Sequence, residues 1–286
     1  MDLKLVVLAV QVSVLCTVFG FGLHTTTRDL SYLIRRPRLL ARSLLAMFVV
    51  MPAVAVLLAL LFDFPATVER ALMMLAISPV PPLLLSREIK AGGNESYALG
   101  LMAILALTAI VVIPLEILVL QGVAGRPLKM PSGGIVRVVL AFILLPLAAG
   151  MAVRSALPRV ADWVEKPLGL ITKVLLPLAV LVLLTTAGPA MWELMGDGTL
   201  IAIIVFVIVG FGVGHVLGAP DSDHSVVLAL STACRHPAVA LSLAAANFPE
   251  ERFGATILLC VLVGLIAGMP YLAWHRRHPR TAARPA

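Results

Sequence analysis

Residues 228–248, LALSTACRHPAVALSLAAANF, are the stretch on which the fold depends. Their length and apolar composition are typical of a membrane-spanning helix, since about 20 apolar residues cross the hydrocarbon. Arg235, His236 and Pro237 nevertheless stand at the centre, where lipid makes a charge costly and proline removes a backbone donor. Such a helix needs a buried polar partner or a water-filled path, and both indicate a transport site before an enzyme or a signalling role.

The composition places the whole chain in a lipid bilayer, which is its first expected partner. Hydrophobic residues make up 60% of the 286 residues and charged residues 13%, against roughly 25% charged in soluble domains. The net charge of +7 comes mainly from Lys and Arg in short loops, so we attribute it to membrane orientation and expect no nucleic-acid partner. Cys16, Cys234 and Cys260 show no paired or metal-ligand spacing, so neither a disulfide framework nor a metal site is expected.

Apolar stretches predict an all-α integral membrane protein with nine transmembrane helices. The predicted spans are residues 3–23, 39–62, 71–86, 96–120, 135–153, 167–188, 199–218, 225–248 and 255–274. With the N-terminus outside, most Lys and Arg residues fall on the cytoplasmic side, where such residues are retained. We therefore predict a multi-pass protein of the cytoplasmic (inner) membrane, with its N-terminus outside and its C-terminus in the cytoplasm.

Two pairs of prolines indicate an internal repeat. Pro81 and Pro237 are 156 positions apart, and the same offset separates Pro114 from Pro270. The offset joins the third span to the eighth and the fourth to the ninth, so paired spans are five spans apart. Because five is an odd number, paired spans cross the membrane in opposite directions, and the two copies would be inverted. The predicted organisation is a first repeat with four spans (residues 1–121), a linker (122–134), a second repeat with five spans (135–275) and a basic cytoplasmic tail (276–286).

The third span is interrupted like the eighth. Residues 77–82, ISPVPP, contain three prolines, which remove three donors and prevent a regular helix. Paired breaks bring half-helix ends, with their free amides and carbonyls, to one place near the membrane midplane, and so predict a binding site there. The alternative is two independent proline kinks that are stabilised by packing.

We expect the site to be formed by the two breaks and the polar residues near them. The predicted substrate-binding residues are Ser78, Pro79, Pro81, Pro82, Ser86, Asn94, Ser231, Thr232, Arg235, His236 and Ser242. For each hydroxyl the alternative is a hydrogen bond to the backbone of its own helix. His236 has no nucleophile or carboxylate partner at helical spacing, so we expect no catalytic residues and no enzymatic activity.

Several segments together resemble the bile acid:sodium symporter family of secondary transporters. They are FGLHTTTRDLSYLIRRP (21–37), AISPVPPLLL (76–85), KAGGNESYALGL (90–101) and STACRHPAVALSLAAANFP (231–249). The resemblance implies an inverted-repeat transporter fold in which two discontinuous helices cross. It also implies a core domain of spans two, three, four, seven, eight and nine, which rocks against a panel domain of spans one, five and six and carries organic anions.

The sequence departs from the family at the positions of its sodium ligands. By ungapped alignment, the Ser-Asn pair that follows the first break in sodium-coupled members falls on Leu84 and Leu85, and the hydroxyl ligands of the next helix fall on Ala98 and Met102. In the second broken helix, the acidic ligand falls near Ser231 and the glutamine ligand falls on Arg235. A sodium ion needs several oxygen ligands and is repelled by a guanidinium, so we expect the ordinary sodium sites to be lost.

Three roles remain open for Arg235. It replaces the sodium charge and holds the crossing together, or it binds the carboxylate or sulfonate of the substrate through its bidentate donors. The third role is structural: it is neutralised by a partner such as Glu116, or it snorkels to an interface. His236 is expected to be a neutral hydrogen-bonding group, with proton coupling through its imidazole as the alternative.

The predicted function is secondary active transport of a small organic anion by alternating access, without a resident cofactor and without the usual sodium ligands. The alternative is a transport-inactive sensor or assembly partner with the same fold. The substrate, the coupling ion, the direction of transport and the oligomeric state are left open by the sequence.

Overall fold

The computed structural model describes residues 3–62, 64–124, 136–137, 139–196, 198–248 and 253–277. All regular elements within these residues are helices, as predicted. In chain order they are α1 (Leu3–His24), α2 (Thr27–Leu30), α3 (Pro37–Leu61), α4 (Ala66–Ala76), α5 (Leu85–Lys90), α6 (Glu95–Ala124), α7 (Leu140–Ala156), α8 (Pro158–Glu193), α9 (Thr199–Gly218), α10 (Ser222–Ala233), α11 (Pro237–Asn247) and α12 (Gly254–Arg277). A 3₁₀ turn, Pro82–Leu84, leads into α5.

Five helical segments are long and apolar enough to cross a bilayer. They are Pro37–Leu61, Glu95–Gly122, Thr199–Gly218, Ser222–Ala244 and Gly254–Arg277. These segments correspond to predicted spans two, four, seven, eight and nine, and they confirm an all-α membrane protein. The full count of nine spans stays a prediction.

The segment Ser222–Ala244 differs from the other four in its surroundings. Its apolar window is 72% buried inside the protein, whereas the corresponding windows of the others are 39% buried or less. Every residue from His224 to Ala233 is buried. The helix that carries Arg235 is therefore enclosed by protein and faces little lipid.

The prolines of each predicted pair stand in matching local settings. Pro81 directly precedes a 3₁₀ turn after the end of α4, and Pro237 begins α11 after the end of α10. Pro114 lies inside α6 and Pro270 inside α12. The inverted repeat and its limits at 1–121 and 135–275 stay predictions. The linker 122–134 and the tail 276–286 lie almost wholly outside the described residues.

Helix α1 packs most extensively against α7 and α8, the helices that include the predicted fifth and sixth spans. Glycines bring α1 and α7 close together: a Cβ at Gly22 would lie 2.3 Å from the Leu147 carbonyl oxygen, and one at Gly150 would lie 2.3 Å from that of Phe19. Small residues of this kind let membrane helices approach backbone to backbone. The three helices predicted to form the panel are thus packed against one another.

Helices α9 and α10 form the most extensive helix pair of the described residues. Gly210, Gly214 and Gly218 lie on one face of α9, where an added Cβ would come within 2.7 Å of the α10 backbone in each case. The close approach fixes α10 along α9, and so sets where the chain leaves α10 and enters the second break.

Candidate functional site at the crossing of two broken helices

Both predicted interruptions are present. In the first, α4 ends at Ala76 and the chain is irregular through residues 77–81, which we call the first break. In the second, α10 ends at Ala233 and α11 begins at Pro237, and residues 234–236 are the second break. Cys234 and His236 have extended backbones there. Each break exposes backbone groups that have no partner within their own helix.

The two breaks lie against each other. The His236 amide donates a hydrogen bond of 2.8 Å to the Pro79 carbonyl oxygen. The Arg235 guanidinium donates to the carbonyl oxygen of Ser78 at 3.2 Å. Backbone groups freed in one helix are thus satisfied by the other, which holds the crossing together.

Arg235 also reaches a third element. Its Nη1 and Nη2 atoms donate to the Met47 carbonyl oxygen at 3.3 and 3.2 Å, and Met47 lies in a π-helical turn of α3, Ala46–Val50. Such turns disturb the regular backbone hydrogen bonding of a helix. The side chain is only 4% exposed, and its Nε has no hydrogen-bond partner. Most of its donors therefore serve the protein's own backbone.

Glu116 is the carboxylate that acts electrostatically on Arg235. It follows Pro114 in α6, and both of its oxygens are buried without a hydrogen-bond partner. The attraction therefore acts without a direct hydrogen bond between the two side chains. His236 is likewise buried, with both ring nitrogens unpartnered. Polar atoms thus surround the crossing, and several of them lack protein partners.

The predicted hydroxyl residues mostly bond their own helices. Ser78 donates to Leu75, Thr232 to Leu228 and Ser242 to Ala238, each at a backbone carbonyl oxygen 2.6 to 2.8 Å away. Ser78 and Thr232 are fully buried, whereas Ser242 in α11 is half-buried. These bonds match the alternative stated for the serines and threonines.

Asn94 directly precedes α6, at the end of α10 where Asp223 lies. Its Oδ1 accepts a hydrogen bond from the Tyr97 amide at 2.9 Å, and its Nδ2 donates to Asp223 at 3.1 Å. This is the geometry of a helix cap, which satisfies an amide that the helix leaves free. The structure therefore gives Asn94 a cap and a link to α10.

A cavity of about 690 Å³ lies between α1 and α8 on one side and the broken helices, α9 and α12 on the other. Pro81, Ser86 and Arg235 are the predicted site residues that line it. Pro79 and Pro82 are buried beside it in the first broken helix. The remaining walls are mostly apolar, including Phe21, Leu168, Phe206 and Val261.

Cationic side chains line the same cavity, and sequence reasoning missed their role. From the sequence, the charges of Arg87, Lys90 and Lys173 are attributed only to membrane orientation. Arg87 Nη1 is buried without a hydrogen-bond partner, and its Nη2 donates weakly to the Leu265 carbonyl oxygen at 3.5 Å. The signal in the sequence was the place of Arg87, directly after Ser86 in the short helix that follows the first break.

A second missed feature is a buried link between the two broken helices. Ser231 Oγ in α10 donates a 2.6 Å hydrogen bond to Glu88 Oε1 in α5. Glu88 is 2% exposed and Ser231 is 1% exposed. Ser231 thus differs from the other predicted hydroxyls, because its partner belongs to a different helix.

Apolar side chains fill the positions aligned with sodium ligands after the first break and in the next helix. Leu84, Leu85, Ala98 and Met102 are all at most 4% exposed. They contribute no side-chain oxygen, and they pack in the hydrophobic core.

Comparison with known proteins gives a family and two relatives. The model of the Sodium Bile acid symporter family matches residues 11–193. The chain is 23% identical over 267 residues to the "Uncharacterized sodium-dependent transporter YocS" of Bacillus subtilis (strain 168), covering 91% of this chain and 81% of that protein. It is 27% identical over 197 residues to the "P3 protein" of Mus musculus, covering 68% of this chain and only 40% of the mouse protein.

Proposed function

Because this chain belongs to the sodium bile acid symporter family of membrane transporters, we propose that it carries a small organic anion across the membrane by alternating access. The observation that carries this proposal is the cavity of about 690 Å³, with mostly apolar walls and with Arg87, Lys90 and Lys173 among its lining residues. Apolar walls with a few convergent polar groups are typical of small-molecule sites. Such a site suits a substrate with an apolar body and one acidic group.

Arg87 is our candidate for the residue that binds the acidic group. It lines the cavity, and its buried Nη1 has no hydrogen-bond partner among the described residues, so a ligand bound beside it would supply the missing acceptor. A guanidinium binds a carboxylate or sulfonate through charge-assisted, bidentate hydrogen bonds. Lys90 and Lys173 lie on the same cavity and add positive charge that attracts an anion.

Arg235 takes the first of its three predicted roles, that of a fixed charge. Its Nη1 and Nη2 atoms bond the carbonyl oxygens of Met47 and Ser78, so substrate binding through them would have to break these bonds. A permanent cation at the crossing would replace the charge of a bound ion. The apolar residues aligned with sodium ligands support transport without the ordinary sodium sites. The Bacillus relative is named as sodium-dependent, which makes sodium dependence the decisive measurement.

The arrangement of the cavity supports the predicted rocking of a core against a panel. The cavity is lined by α1 and α8 on one side and by the two broken helices on the other, and α1 packs with α7 and α8 as one group. Arg87 and Lys90, which line it, follow predicted span three on the side predicted to be cytoplasmic. We therefore propose an inward-facing state of a protein of the cytoplasmic membrane, with its N-terminus outside.

Uptake into proteoliposomes tests the proposed function. Purified protein would be assayed with taurocholate, cholate and short 2-oxo acids, with and without sodium and pH gradients. We expect uptake of at least one of these anions without sodium, above that of protein-free liposomes. Strict sodium dependence would overturn the proposed loss of the sodium sites. Tight binding without any flux would favour the transport-inactive sensor.

A further inference from the structure

We propose that Glu88 is a proton-binding site, and that its proton takes the place of a coupling cation. The role in coupling rests on the proposed transport function, whereas the site itself rests on the geometry around Glu88. The carboxyl group belongs to α5, directly after the first broken helix resumes, and it contacts α10 of the second. It therefore joins the two elements whose crossing forms the candidate site.

Within the described part of the chain, the surroundings of Glu88 provide no countercharge at contact distance. The side chain is 2% exposed, and the hydrogen bond from Ser231 is its interaction with a neighbouring helix. No Lys, Arg or His among the described residues lies within ion-pair distance of it. The titratable groups that face it are Cys234 of the second break and Tyr97 of α6, with Arg87 next to it in its own helix. Both Cys234 and Tyr97 are uncharged in their usual forms at neutral pH.

An ionised carboxylate in this setting is costly, because a buried charge needs a partner that returns the lost hydration. Binding a proton removes the charge without requiring a cage of ligands. A sodium ion, in contrast, would need several oxygens, and the neighbouring positions hold Leu84 and Leu85. A proton is thus the cation that this pocket can accept.

Ser231 suits both protonation states of its partner. Across the 2.6 Å contact its hydroxyl can donate to an ionised carboxylate, and its lone pairs can accept a hydrogen bond from the protonated acid. The contact between α5 and α10 can therefore persist while its charge changes. Proton binding would then alter the electrostatics of the crossing and the relative stability of its inward and outward arrangements.

Infrared titration of the protein in liposomes tests the site without any substrate. We expect a carboxylic acid carbonyl band that disappears as the pH rises, that is absent from Glu88→Gln, and that is retained in Glu95→Gln, an exposed control in α6. Glu116→Gln separates the signal of the other buried carboxylate. Should Glu88→Gln fold poorly, Glu88→Asp must shift the frequency of the band. An identical set of titrating bands in wild type and Glu88→Gln would overturn the proposal.

Transport of taurocholate tests the coupling. An inward proton gradient should accelerate wild-type uptake severalfold and leave Glu88→Gln unchanged, while exchange of internal for external taurocholate continues in the variant. Equal wild-type uptake with and without the gradient would overturn the coupling role. If the wild type transports no anion at all, the proposed function fails, and the infrared titration still decides whether Glu88 binds a proton.

Discussion

The amide of His236 donates a 2.8 Å hydrogen bond to the carbonyl oxygen of Pro79, so the two broken helices satisfy each other's free backbone groups. Proline creates this opportunity on both sides, because it ends regular hydrogen bonding within each helix. Arg235 strengthens the same contact by donating to Ser78 in the first break and to Met47 in α3. The crossing is therefore held largely by hydrogen bonds to backbone carbonyl oxygens. Arg87, Lys90 and Lys173 line the cavity next to it and make none of these bonds.

Replacing Arg87 should weaken anion binding. Arg87→Gln removes a guanidinium whose Nη1 has no partner in the protein, so we expect affinity for a transported anion to fall by about ten- to a hundredfold, the worth of a charge-assisted hydrogen bond. Arg87→Lys should recover part of this loss because it restores the charge without the bidentate geometry. Isothermal titration calorimetry with the anion that liposome assays identify is the measurement. Arg159→Gln, an exposed arginine outside the cavity, is the control, and equal affinities for Arg87→Gln and this control would exclude Arg87 from the site.

Replacing Arg235 should act first on stability. Arg235→Lys shortens the reach to the carbonyl oxygens of Met47 and Ser78, and we expect the thermal unfolding midpoint to fall by several degrees. Anion affinity should change less than it does in Arg87→Gln, since the Arg235 donors mostly serve the backbone. The opposite pattern, an unchanged midpoint with lost affinity, would assign Arg235 to the substrate.

The two breaks could be predicted from the sequence, because proline lacks a backbone N–H and interrupts a helix wherever it stands. The charge of Arg235 inside an apolar stretch was similarly visible. The places of Arg87 and Glu88 could not be predicted, because an Arg-Glu pair directly after a predicted span is typical of an ordinary cytoplasmic loop. Their directions, into the cavity and toward Ser231, depend on where α8 and α10 lie relative to α5 in the folded protein, which no single stretch of sequence specifies.

The predicted polar residues also show that the sequence indicates the position of a side chain near a break but not its hydrogen-bond partner. Thr232 and Ser242 could be recognised only as hydroxyls near a break, and the competing bond to their own helix backbone prevailed. Asn94 was close to the break in sequence, but it caps α6 because its side chain can bond the amide of Tyr97 three residues later. Proximity in sequence alone thus does not distinguish a side chain that bonds or caps its own helix from one that lines the cavity.

A larger residue at Gly214 should disrupt the α9–α10 pair. A Cβ there would lie 2.4 Å from both the Ala229 Cα and the Leu228 carbonyl oxygen, which are backbone atoms that cannot rotate away. Gly214→Val should therefore separate the helices and lower the unfolding midpoint by several degrees, since overpacking costs about 1–3 kcal/mol. Gly212→Val is the matched control in the same helix, because nothing lies within 4 Å of its Cβ position. Equal midpoints for the two variants in a thermal-shift assay would contradict the packing described.

Asp29 should make stability depend on pH in the loop between α1 and α3. Partial burial opposes its ionisation, but hydrogen bonds from the hydroxyls of Ser96 and Thr26 and from the Thr26 amide outweigh this effect and lower the pKa of the carboxyl below its ordinary value. The folded protein therefore holds this proton less tightly than the unfolded chain. The ionised carboxylate stabilises the fold above the ordinary range near pH ~4, and that contribution is lost as the pH falls toward the lowered value.

Asp29→Asn should accordingly lower the unfolding midpoint at neutral pH by a few degrees at most, because the group is largely solvated. The difference from wild type should shrink as the pH falls through the acidic range and vanish once Asp29 of the wild type is itself protonated. Ser96→Ala removes one of the bonds to Asp29 and should show a smaller effect in the same direction. Thermal-shift scans from neutral to acidic pH, with the exposed Glu193→Gln as control, measure this. A deficit of Asp29→Asn that stays constant across the scan would mean that Asp29 acts through its shape and not through its charge.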